Sequence, residues 1–483
     1  MKAMLIIPLL LSGILAGTAH GDVLTLDEAL ATALEHNRNL QNAEENLVQA
    51  TLQVHRAWSN LLPRMGAQAS QNWNNEVVTG FPITDPQQPA ILGRPTQEGC
   101  VEPVPGDDPI TPGPVCIFSE PAVQEVVVRP GQSQALSLSV SQPIFVASTI
   151  PAIRGANASR EASEADFRAM QEQTLYHVAQ LYMNTVALER LVHLQSQSYE
   201  NMLRHQEVAQ TRYELGEASR LSVLQAETEV ARAEAAWHRS RVEYLNAMAS
   251  LANLIGVERV GRLQPPEELT RFAGSDAPYE PYGEDATSVA REKRGDLMAA
   301  RKQVVAARHA RTAQSMRFAP TLMASAGLQW DTDPGAFGDA RSWSVGLTLN
   351  LPLFEAGTRI HDRRESASRL RQAQTSLLSR EQELRVELES AFNRMEVGRR
   401  TLTVARKQRA LASESFAVAQ TGFEHGAVSG MEVIDANQTL LGAEVEALRE
   451  GLHVELDTLN YYRALGMLTD VLGVRPADGR SLP

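Results

Sequence analysis

The chain has 483 residues, a length that corresponds to about three ordinary domains, and its 43% hydrophobic and 21% charged content is that of a folding chain. A formal net charge of −13, from 45 basic and 58 acidic side chains, excludes the basic stripe a nucleic-acid partner requires. No long apolar run follows the first twenty residues, which excludes a spanning helical bundle but not a β-barrel, whose strands signal far more weakly.

In chain order, the first expected segment is an export signal over residues 1–21. Met1-Lys2 is basic, Ala3 to Ala16 is apolar, and Ala19-His20-Gly21 is a small-x-small cleavage site before Asp22. A helix follows at about 26–61. After it comes an alternating segment, Gly66–Asn75, and then a Pro- and Gly-rich loop over 80–131 that holds both cysteines of the chain, Cys100 and Cys116. Two readings stand for this pair. A disulfide would suit an oxidising compartment and would stabilise by roughly 3 kcal/mol for a closed loop of about 15 residues; the alternative is two free thiols. A metal site there is disfavoured, because no His lies between Val78 and Ile150.

A second alternating segment, Ala135–Pro143, sets Leu136, Leu138 and Val140 against Ser137, Ser139 and Ser141. Residues 156–215 and 217–255 then contain neither Gly nor Pro, giving helical limbs of about 90 Å and nearly 60 Å. Along the second limb Tyr244, Met248, Leu251 and Ile255 keep one helical stripe. Lengths of this kind call for coiled-coil packing.

The pattern then recurs. A linker over 257–283 leads to a helix at about 284–318 and to two alternating segments, Leu322–Asp331 and Ser342–Pro352. Two more helical limbs run from Gly357 to Gly426 and on to Gly466, and a tail spans 467–483. Pro63 matches Pro320, and Arg38-Asn39-Leu40 resembles Gly295-Asp296-Leu297, at an offset of 257. Pro143 matches Pro352 at 209; Gly216 matches Gly426, and Gly256 matches Gly466, at 210. The chain is therefore a duplication, with a first repeat at 22–256 and a second at 284–466. The drop of 48 in offset places an insertion of that size in the first repeat, where the cysteine-containing loop lies. Pro143 and Pro352 read as the points where the chain turns from strand to helix.

Strands of 9–11 residues with one apolar and one polar face suit either a membrane strand lining a wet interior or a soluble hairpin. Four strands cannot close a barrel, and open edges are forbidden in lipid. If these strands span a membrane, several chains must share one barrel. No dinucleotide, nucleotide, nucleophile-elbow or zinc-protease motif is present, so no enzyme and no cofactor is expected. His177, His193 and His205 share one limb at spacings of 16 and 12, unsuited to a single metal. Glu432 and Asp435 lie three apart on one helix face, a candidate acidic constriction if several copies bring them around one axis. A solvated face is the plainer reading.

Together these residues resemble a known family. The opening Leu24-Thr25-Leu26-Asp27-Glu28-Ala29-Leu30, the ending Asn60-Leu61-Leu62-Pro63, the Pro-x-Phe after each second strand and the two helix–turn–helix tips (Arg212–Ala226 and Gly422–Ala436) are similar to those of TolC-type outer-membrane factors, the outer membrane efflux protein family. The resemblance implies a mainly α chain with membrane β: a homotrimer whose four strands per chain form a 12-stranded barrel, continuous with a long periplasmic α-helical barrel. It implies location in the outer membrane among its lipid, with extension into the periplasm. It also implies a passive exit duct for small molecules, joined to a periplasmic adaptor and an inner-membrane pump, proton-driven rather than ATP-driven. The adaptor would dock at Gly216, Ser219, Gly426 and Ser429, and Glu432 with Asp435 would narrow the periplasmic end. By the same resemblance Leu221 and Ser222 stand where a relative carries polar gate partners, and Val428 departs from the Arg that some relatives use in a closing salt-bridge network. Phe423 and Tyr213 beside the tips read as packing residues. The alternatives are the outer-membrane part of type I protein secretion and, in a different class, a periplasmic coiled-coil scaffold.

Overall fold

A computed structural model describes residues 23–73, 132–264, 284–332 and 339–474, with isolated positions and short strands at 75, 78–80, 100–101, 115–116, 126–129 and 272. The expected export signal and the end of the tail lie outside the described residues. The elements are α1 (Leu26–His36), α2 (Arg38–Ser59), β1 (Arg64–Trp73), β2 (Val78–Gly80), β3 (Cys100–Val101), β4 (Val115–Cys116), β5 (Val126–Arg129), β6 (Gln132–Val146), α3 (Thr149–Glu214), α4 (Arg220–Ile255), α5 (Glu284–Lys293), α6 (Gly295–Met316), β7 (Thr321–Asp331), β8 (Arg341–Asn350), α7 (Thr358–Glu424), α8 (Gly430–Ala464) and α9 (Leu468–Leu472). They divide into a helical unit (up to Ala57, Pro151–Ser315, Thr358 onward) and a sheet unit (Trp58–Ile150, Met316–Gly357).

In the helical unit, α3 and α7 have 66 and 67 residues, about 100 Å each at the α-helical rise. α3 starts before the Gly- and Pro-free stretch because Pro151 falls in its first turn, where the missing N–H has no partner to lose. Its core gathers Leu30 of α1, Leu175, Tyr182 and Met183 of α3, Leu251 and Ile255 of α4 and Leu459 of α8. Each such buried side chain stabilises by about 1.5–3 kcal/mol relative to exposure. Two polar anchors tie irregular chain to this core. The Tyr182 hydroxyl lies 2.9 and 2.7 Å from the carbonyl oxygens of Leu24 and Gln264, and burial pushes its pKa up to about 12. Both carboxylate oxygens of the buried Glu455 accept from the Phe272 amide.

The helices expected at 26–61 and 284–318 are each broken in two, and the breaks fall at equivalent places in the two repeats. At the first, Asn37 ends α1 and its Oδ1 accepts from the Asn39 and Leu40 amides, capping α2. Its Nδ2 donates to the Leu254 carbonyl near the end of α4. At the second, Arg294 stands in the equivalent place and donates to Asp296, to Glu387 and to the Ala464 carbonyl at the end of α8, the counterpart of Leu254. Arg463 completes the network at Glu387. Burial raises the pKa of Glu172, within reach of these charges, to about 7 despite the opposing field of Arg294. A glycine presses on each break. A Cβ at Gly256 would lie 2.5 Å from the His36 carbonyl oxygen, and one at Gly466 would lie 3.0 Å from the Arg294 nitrogen.

In the sheet unit four antiparallel strands pair in the order β1-β6-β7-β8. The register puts Leu136 opposite Ala69 and Trp330, Leu138 opposite Ala67 and Leu328, and Leu328 opposite Trp343. One face is therefore apolar across all four strands. The other carries Gln68 and Ser70, Ser137 and Ser139, Ser325 and Gln329, Ser342 and Ser344. On the edge strand β8, Trp343, Val345 and Leu347 remain 72–75% exposed, so a single chain leaves this face uncovered. The insertion at 80–131 is not wholly loop. The ladder β2–β5 pairs the residues at its two ends, the ladder β3–β4 lies within it, and the second sets Cys100 directly opposite Cys116 in backbone register. Pro143 does not end its strand, contrary to expectation. It pairs with Met323 inside β6, and the missing N–H is accommodated by a register shift between Pro143 and Phe145. β6 continues to Val146. Pro352 does lie beyond β8, and the turn into α7 is made at Ala356 and Gly357, both at positive φ.

Candidate functional site

The two helical hairpins α3–α4 and α7–α8 end in tips of the same construction. Gly216 and Gly426 take φ of 75° and 77°, the left-handed region in which L side chains are strained. At the first tip the Gly216 amide donates to Tyr213 and the Glu217 amide to Arg212. At the second, Gly426 donates to Phe423 and Ala427 to Gly422. Both are Schellman endings that satisfy carbonyls left over at a helix C-terminus. Three residues on, Ser219 and Ser429 cap the returning helices, accepting from the Ser222 and Glu432 amides. The spacing Gly-x-x-Ser is thus what a two-helix turn of this kind needs. Gly216, Ser219, Gly426 and Ser429 are all exposed.

Glu432 closes a capping box. Its Oε2 accepts from the Ser429 amide at 2.7 Å and from the Ser429 hydroxyl at 2.9 Å. These bonds hold its carboxyl below the usual glutamate range. Asp435 stands exposed one turn further along the same helix. Within one chain, then, the capping bonds favour the ionised form of Glu432. The first tip has Ser222 where the second has Glu432, and its hydroxyl lies 3.1 Å from that of Ser219.

Contacts between the hairpins surround Phe423, which is buried as expected for a packing residue; Tyr213 is 40% exposed and stacks under Arg220 instead. The Arg212 guanidinium lies 4.8 Å from the Phe423 ring centroid and its Nη2 donates to the Glu424 carbonyl at 3.4 Å. Val428 folds back on Gly422, where a Cβ would come within 2.5 Å of its Cγ2. Further along, the buried Asn437 donates to Ser198 at 2.9 Å and accepts from Asn201 at 3.0 Å. Gln438 donates to Glu229 at 3.2 Å. The cross-hairpin contacts of Arg212, His205 and Asn437 were not legible in the sequence. Their partners lie more than 200 residues away, and no local spacing announces such pairs.

A family model described as outer membrane efflux protein matches residues 29–257 and 286–466. The outer membrane efflux protein BepC of Brucella suis biovar 1 is 24% identical over 321 residues, covering 66% of this chain and 68% of BepC. The alkaline protease secretion protein AprF of Pseudomonas aeruginosa is 23% identical over 349 residues, covering 70% of this chain and 65% of AprF. The aligned part thus spans about two thirds of each relative. Among solved structures, the Campylobacter jejuni CmeC outer membrane channel superposes with a TM-score of 0.71 at 15% identity, over 92% of this chain and 86% of that one. A likeness at that identity speaks for the fold.

Proposed function

Because the chain belongs to the outer membrane efflux protein family, and so is an outer-membrane exit duct of an efflux or secretion system, we propose that it passes small molecules to the outside as a homotrimer. The observation that carries this reading is the four-stranded sheet with one apolar face, one Ser- and Gln-rich face and two edges left unpaired among the described residues. Three copies joined edge to edge would supply twelve strands, bury every edge in hydrogen bonds and line the interior with polar groups. The duct has no step of its own that consumes a nucleotide. A pump in the inner membrane would supply the energy, proton-driven rather than ATP-driven, and a periplasmic adaptor would engage Gly216, Ser219, Gly426 and Ser429. The likeness of the tip sequence Gly-x-x-Ser to those of proton-driven systems supports small-molecule efflux. The resemblance to AprF favours a second reading, protein secretion through an ATP-driven transporter. Glu432 and Asp435, six carboxylates in a trimer, would narrow the inner end.

The test is crosslinking in cells from photoreactive residues at positions 219 and 429, read by mass spectrometry. Adducts with an adaptor, and a proton-driven pump co-purifying, are expected. An ATP-driven transporter in place of that pump would shift the assignment to protein secretion. No adaptor, with monomer in the soluble fraction, would leave the periplasmic scaffold.

A further inference from the structure

His205 sits on α3 two turns before the first tip, 7% exposed, and its Nδ1 is buried without a hydrogen-bond partner. Two elements enclose it. The Phe423 ring of α7 lies 4.8 Å away, centroid to centroid, tilted by 45°. Gly430 at the start of α8 supplies the second wall. A Cβ there would come within 3.2 Å of the imidazole Cε1 and 3.3 Å of Nε2, so the missing side chain makes the seat. Around it Val208, Phe416, Ala419, Val428 and Val433 form an apolar cluster with Phe423.

We propose that His205 is a proton-operated latch. Neutral, it lets α3 close on the tip of the second hairpin; protonated, it loosens that contact and favours the open tip. The idea rests on the reading of the chain as a duct with its tips at the periplasmic end.

The physical basis is that, among the described residues, no carboxylate is turned to this seat to offset a charge on the imidazole. The ionisable groups on the neighbouring elements are turned to other work or to solvent. On α3, Arg204 is bonded to Asn201, Glu207 is exposed and Arg212 lies on Phe423. On α7, Glu424 and His425 are exposed; on α8, Asp435 is exposed and Glu432 is bonded to Ser429. A protonated imidazole would also have to share the Phe423 ring with the Arg212 guanidinium. Burial alone holds the imidazole below its ordinary value of 6.5. The sign follows. The solvated, open tip binds a proton near pH 6.5 and the closed tip only at lower pH. Closure is therefore fully favoured above that value. As pH falls below it, the closed form loses ground by up to about tenfold per pH unit per chain.

The test uses the full-length protein in lipid, with nitroxides carried by unnatural amino acids at positions 207 and 425, and planar-bilayer conductance on the same preparation. Between pH 7.5 and 5.5 the inter-label distance should lengthen and open probability should rise about tenfold. In His205→Phe, which fills the seat with an uncharged ring, both should stay flat. His205→Gln serves as a second uncharged variant should the larger ring disturb folding. A pH response that survives both substitutions, or an inter-label distance insensitive to pH in the native protein, overturns the latch. Distances that respond while no conductance appears at any pH would keep the latch and overturn the duct.

Discussion

Glu432 shows how one side chain can hold two assignments at once. Its bonds to Ser429 are those of an ordinary helix start, and the combination Ser-x-x-Glu is readable in the sequence without any knowledge of a channel. That local role is a complete account of why a carboxylate stands there. Asp435 has no such account, and the two together retain the candidacy as a constriction. A variant that separates the roles must keep the cap, so Glu432→Gln with Asp435→Asn is the informative pair: Gln still accepts from the Ser429 amide. In bilayers this double variant should relieve divalent-cation block several-fold and leave the thermal midpoint in place. Block that persists unchanged would remove both residues from the conduction path. The contacts of Arg212, His205 and Asn437 could not be foreseen in this way. Each depends on the alignment of two long hairpins, and register between helices of this length is set by packing over the whole stripe.

At the scale of elements, the sequence gives away what depends on glycine, proline and period two, and conceals what depends on a single polar side chain. The two tips, the four long strands and the long limbs were legible because a left-handed residue, a missing amide or an alternating face leaves a local mark. The breaks at Asn37 and Arg294 were not, since an Asn or Arg inside a helical pattern is unremarkable until its partner across the fold is known. Likewise Pro143 read as a strand end, although a bulge lets β6 absorb it. The insertion is intermediate: its place was legible, its internal pairing was not. The pairing of β3 with β4 sets the backbones of Cys100 and Cys116 opposite one another, which agrees with a disulfide across a short ladder. Protein from the oxidising compartment should migrate differently on non-reducing and reducing gels, and Cys100→Ser should abolish the difference. Alkylation of both thiols without reductant would refute the bridge.

For the whole molecule, the decisive fact is incompleteness. An apolar sheet face more than two-thirds exposed on β8 and two strand edges open among the described residues describe a part and not a finished object. Undenatured samples from the outer-membrane fraction should therefore run as a heat-modifiable trimer; a monomer that binds no detergent would contradict the shared barrel. The duplication has a mechanical consequence for such an assembly. If both repeats had kept the same joint, three chains would form a ring of six equivalent hinges. Instead one joint is an uncharged amide bridge, indifferent to ionic strength, and the other is a cluster of Arg294, Asp296, Glu387 and Arg463 beside a carboxyl that titrates near neutrality. In such a trimer the response would be threefold and not sixfold: salt would slacken every second hinge while the ones between stay stiff, and mild acid, by neutralising the half-buried Glu172, would tighten the charged joints.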